Sequence, residues 1–113
     1  MKVTVPVITI VQGETLRLRV RLRARRTGAP VDLTGAAVTA EIRRTWAATE
    51  PIGVLAVLPD NPAGGTYYLV LDRAASGALP AGRHIFEVTV EFAAGEVRKL
   101  PRGIFAVLPG GRG

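Results

Sequence analysis

The sequence predicts an all-β domain, a sandwich or barrel of seven or eight short antiparallel strands, on three observations. Apolar residues alternate with polar ones over several separate stretches, which is the period of a strand and not of a helix. Gly, Pro, Asn and Asp clusters punctuate the chain wherever one such stretch gives way to the next. Only residues 73–79 read as a helix, about two turns at most, and Pro80 ends it.

The elements follow in order. Residues 3–10 are rich in β-branched side chains, and Pro6 among them marks an edge strand or a bulge. Leu16, Leu18, Val20 and Leu22 alternate strictly with Arg17, Arg19, Arg21 and Arg23, so one face is apolar and the other carries four arginines. Val38, Ala40 and Ile42 alternate with Thr39, Glu41 and Arg43 in a third strand. Residues 54–58 are continuously apolar, the pattern of a strand buried on both faces. Residues 66–71 form the next, after Gly64 and Gly65. Phe86, Val88, Val90 and Phe92 alternate with Glu87, Thr89 and Glu91. Residues 97–100 and 104–108 complete the set, separated by Pro101 and Gly103. The turns also carry their own hydrogen bonding: Asp32 and Thr34 are placed to bond the backbone around Gly35, and Gly82 can supply a positive φ.

Composition sets the class. At 113 residues and 48% hydrophobic content the chain is one domain, residues 1–108, with a mobile glycine-rich tail at 109–113. No apolar run reaches the roughly 18–20 residues of a membrane span, and the N-terminus lacks a secretory pattern, so synthesis in the cytoplasm is expected. Cysteine is absent, which excludes disulfides, thiol nucleophiles and Cys-based zinc sites. The net charge is +6, with 13 Arg against 2 Lys, which suits an acidic partner or simply reflects an arginine-rich coding bias.

Three pieces, in this order, carry a resemblance. Gln12-Gly13-Glu14-Thr15 precedes the arginine strand, and Gly28-Ala29-Pro30-Val31-Asp32-Leu33-Thr34-Gly35 follows it. Leu79-Pro80-Ala81-Gly82-Arg83 opens a later strand, and Val97-Arg98-Lys99-Leu100 with Gly103 leads into the last. Over residues 10–108 this resembles the small immunoglobulin-like proteins of tailed bacteriophages, the N-terminal domains of baseplate upper proteins among them. His84 stands where that family carries an aromatic. The resemblance implies an immunoglobulin-like β-sandwich and a structural part in a virion, as a tail, baseplate or neck accessory protein. Its partners would then be other phage structural proteins in a multi-copy assembly. Capsid decoration and a carbohydrate-binding attachment module are the alternatives, the latter disfavoured by an aromatic content of 5%.

No residue pattern announces catalysis, a cofactor or a metal. Ser76 is the sole serine and sits in a helical turn, not a nucleophile elbow. His84, the sole histidine, is in phase with inward-facing Phe86 and reads as a core residue. Asp32, Asp60 and Asp72 fall at turns, where carboxylates cap backbone groups. The residues left for a partner interface are Arg17, Arg19, Arg21, Arg23, Trp46, Tyr67 and Tyr68. The arginines are either a docking face for an anionic protein or nucleic acid, or a solvated face paired with Glu41, Glu87 or Glu91. Aromatic interleaving for base stacking is missing from the stripe. Trp46 shares the parity of Ile42, so core packing is expected, with a rim position beside Arg43 and Arg44 the alternative. Tyr67 and Tyr68 point to opposite faces, so one of them is exposed.

Overall fold

A computed structural model describes residues 7–24, 26–100 and 102–110. The start of the expected first strand, Val3 to Pro6, with Pro101 and the tail residues Gly111 to Gly113, lies outside the described residues. The strands are β1 (Val7–Val11), β2 (Leu16–Arg21), β3 (Ala37–Arg43), β4 (Pro51–Asn61), β5 (Thr66–Leu71), β6 (Gly82–Glu91), β7 (Val97–Lys99) and β8 (Gly103–Leu108). A 3₁₀ turn, Pro62–Gly64, joins β4 to β5, and helix α1 (Arg73–Ala78) joins β5 to β6.

The strands form one continuous ribbon in the order β1-β8-β6-β3-β4-β5-β2, with β7 also beside β6. It folds over at β4, whose first half pairs with β3 and whose second half pairs with β5. Two layers result. Layer A holds β1, β8, β7, β6, β3 and the first half of β4; layer B holds the rest of β4 with β5 and β2. All pairings are antiparallel except β1 with β8, which run parallel from Val7↔Ile104 to Val11↔Leu108.

Alternation decides what lies between the layers. Layer A contributes Ile8, Ile10, Ala40, Ile42, Phe86, Val88, Val90, Phe105 and Val107, all buried. Layer B answers with Tyr67, Leu69 and Leu71, and half-buried Leu16, Leu18 and Val20 of β2 close the core from its edge. Each large aliphatic or aromatic side chain sealed here contributes roughly 1.5–3 kcal/mol of burial.

The apolar run 54–58 is not buried on both faces. Val54 and Leu58 are 61% and 45% exposed, and only Leu55 is buried. A run of apolar residues signals double burial when both faces are covered, but β4 lies where the ribbon bends between layers and its outer face meets solvent.

Turn chemistry matches expectation. Asp32 Oδ1 accepts from Thr34 N at 2.9 Å. Hydrogen bonds from the Thr34 side chain, then its backbone, hold the Asp32 carboxyl below its ordinary range. Asp72 caps α1 by accepting from Ala75 N at 2.7 Å. Gly82 has φ of 135°. Gly65, at φ 76°, is the tighter constraint: a Cβ there would sit 2.6 Å from the Leu22 carbonyl oxygen. That close approach lets Leu22 N donate to Gly65 O and fastens the C-terminal end of β2.

Candidate interaction faces

The outer face of layer A is built on a like-charge pair. Glu41 of β3 lies directly opposite Glu87 of β6, an arrangement that destabilises a sheet unless cations join it. Two do. Arg43 Nη2 lies 2.7 Å from Glu41 Oε1 and 3.8 Å from Glu87 Oε1. Arg102 Nε donates to Glu87 Oε2 at 3.0 Å. Glu87 is left only 6% exposed. Burial alone would raise its pKa, but the Arg102 hydrogen bond and charge, with Lys99 and Arg43, outweigh that and hold it below the ordinary value.

Backbone geometry aims Arg102. β7 pairs with β6 through Thr89↔Lys99, whereas β8 resumes at Phe86↔Gly103. Between these pairs the last strand position gains one residue over β6, so the register slips as at a bulge. From that slip Arg102 also donates to the Trp46 carbonyl at 2.5 Å and stacks 5.7 Å from the Trp46 ring centroid. Arg43 holds the same loop by donating to the carbonyls of Ala48 and Thr49.

Trp46 is therefore not a core residue: it is 54% exposed. The parity that links it to Ile42 ends with β3 at Arg43, where the register with β4 shifts, and Trp46 falls in the loop beyond. It takes the rim alternative, beside an arginine.

Layer B presents the arginine stripe. Arg17, Arg19, Arg21 and Arg23 are all exposed. Their acidic partners are not those expected, because Glu41, Glu87 and Glu91 belong to layer A. Arg19 Nε pairs with Asp60 at 3.0 Å, and Arg17 lies 4.3 Å above the ring of Tyr68, the half-buried outward member of the tyrosine pair. Arg23 donates to the Gly28 carbonyl at 3.2 Å. Arg21 has no acidic partner among the described residues. Arg19, Arg21, Arg23 and Thr66 line a shallow concavity of about 290 Å³.

Tyr67 faces inward and is 2% exposed; burial pushes its hydroxyl up to about 12. It also borders a concavity of about 230 Å³ with Leu33, Ala36, Val38, Val57 and Pro59, which presents no charged side chain. His84 and Ser76 serve the scaffold. His84 is buried with Nε2 bonded to the Pro80 carbonyl at 2.7 Å, which makes Nε2 the protonated nitrogen. Ser76 Oγ accepts from Gly13 N at 2.8 Å.

Arg102 escaped sequence reasoning, and Arg43 and Glu87 entered it only in other roles, as a neighbour of Trp46 and as a partner for the stripe. The signals were two glutamates in phase on facing strands and an arginine inside the Pro101–Gly103 interruption.

No family model matches the chain, and no curated protein matches its sequence. Among solved structures it is similar to CopC from Methylosinus trichosporium OB3b, with a TM-score of 0.52 and 13% identity over 93% of this chain and 86% of that one. A structure of murine CRIg aligns with a TM-score of 0.42 and 12% identity over 94% of each chain. The likeness to CopC bears on architecture alone, and with the two-layer ribbon it makes the fold an immunoglobulin-like β-sandwich.

Proposed function

We propose that this chain is a non-catalytic structural module that docks through the outer face of layer B onto an acidic protein surface in a larger assembly. One observation carries the docking face: four exposed arginines in register, of which only Arg19 has a carboxylate partner among the described residues. A cationic face of this kind steers and orients an acidic partner. Tyr68 beneath Arg17 adds the aromatic–arginine combination that is frequent at interface centres.

The resemblance read from the sequence supports a tailed-phage virion as the assembly, with a tail, baseplate or neck position. In such a particle many copies engage together, so modest contacts per copy suffice. The rim site at Trp46 and Arg102 offers a second contact on layer A. Capsid decoration would use the same chemistry at another place in the particle.

The test uses particles produced in the presence of tagged full-length chain or its Arg17→Glu/Arg19→Glu/Arg21→Glu variant, each checked for folding by circular dichroism. The unaltered chain should co-purify with particles, and the variant should fall by about tenfold or more. Equal incorporation overturns the docking face. Absence of the unaltered chain from every particle fraction overturns the virion reading.

A further inference from the structure

β2 carries its stripe on one face and an open hydrogen-bonding edge along its side. Leu22 N donates to Gly65 O at 2.8 Å, and that pair continues the β2–β5 register of Leu16↔Leu71 and Val20↔Tyr67. In antiparallel strands the residues that exchange hydrogen bonds recur at every second position. Leu16, Leu18 and Val20 therefore turn their peptide groups toward β5, and Arg17, Arg19 and Arg21 turn theirs away. β2 is the last strand of the ribbon. Among the described residues no other strand lies on that outer side: the Arg23–Pro30 bridge beyond it is closed through Leu22 O and Ala24 N, on the side that faces β5. The same three residues thus present both unpaired backbone groups and exposed guanidinium groups.

We propose that this edge captures an extended acidic segment of a partner protein as an added strand, its alternate Asp or Glu side chains facing Arg17, Arg19 and Arg21. The inference rests on the docking reading above and names the partner's form. An added strand repeats its side chains every second residue, about 6.5–7 Å apart, which is the spacing of the stripe itself. Directly opposed side chains on paired strands lie about 4.5–5.5 Å apart at Cβ, within reach of a carboxylate–guanidinium pair. Arg17 and Arg19 are already held, by Tyr68 and Asp60, so ordering them costs little on binding. Arg21, between Arg19 and Arg23 in the concavity, is the position where an incoming carboxylate meets no competing acidic side chain among the described residues. A second copy of β2 is a poor occupant, because two such edges would set arginine against arginine.

The probes are three capped peptides of about eight residues: one alternating Glu with Thr, one of the same composition with all Glu first, and the alternating peptide N-methylated on the residues that would bond β2. Each is titrated at low salt into the ¹⁵N-labelled full chain. The alternating peptide should slow amide exchange at Arg17, Arg19 and Arg21 by about tenfold or more, and N-methylation should weaken its binding by about tenfold. Binding of all three within about twofold, with no protection at those amides, overturns strand capture and leaves the charged face standing. No binding by any of them overturns both readings.

Discussion

Arg43 and Arg102 on layer A and the stripe on layer B are chemically alike and differently employed. On layer A each guanidinium meets Glu87 and at least one loop carbonyl within the chain, although the buried Arg43 Nε has no hydrogen-bond partner among the described residues. On layer B the exposed arginines meet, among the described residues, one carboxylate, one aromatic ring and one carbonyl between them. The difference arises from the opposing strand. Glu87 lies across from Glu41 on layer A, whereas β5 sets Val70, Tyr68 and Thr66 across from Arg17, Arg19 and Arg21. Charges with internal partners stabilise the fold, and charges without them remain available to something else.

The largest expected effect lies on layer A. Glu87→Ala takes the carboxylate from Arg102 and leaves Arg43 with Glu41 alone, and should cost about 2–3 kcal/mol, reduced from a fully buried pair because Arg102 is partly exposed. Arg21→Ala should stay within about 0.5 kcal/mol. Equal losses in urea denaturation would erase the contrast.

A pH series sharpens it. The folded-state pKa of Glu87 is depressed, so its contribution is fully present above the unfolded value, near 4.5, and is lost as pH falls through the lower folded value. Glu87→Gln should flatten that part of the acid limb in denaturation profiles. Arg21→Gln should leave its shape unchanged.

Smaller effects come from layer B. Tyr68→Ala removes the ring beneath Arg17 and should cost about 0.5–1 kcal/mol beyond the packing lost, read as the coupling in a double-mutant cycle with Arg17→Ala. Arg21→Gln should stabilise the free domain by about 0.3 kcal/mol at low salt by relieving like-charge crowding. Thermal denaturation at about 1 M salt should show that gain vanish, because screening then acts within about 3 Å.

Much of this contrast is legible in the sequence. The facing of the stripe follows from strict local alternation, and β2 keeps its phase to the end. Turn positions such as Asp32 and Asp72 are legible because their side chains bond backbone two or three residues away. Trp46 is not, because its parity holds only while the strand lasts. Val54 and Leu58 are not, because an apolar run carries no sign that the strand leaves one layer for the other. The Glu87 cluster needs β3, β6 and the slip before Gly103 to be superposed, and that depends on contacts distant in sequence.

The parallel pair β1–β8 gives the domain a mechanical character. Its strands run from Val7↔Ile104 to Val11↔Leu108, so tension between residue 7 and residue 108 pulls them past one another along their length. Hydrogen bonds loaded this way share the force and yield together, whereas a hairpin pulled open at its end gives up one bond after another. A module threaded between two neighbours through its ends would resist extension at this pair before the arginine face or the core felt any load.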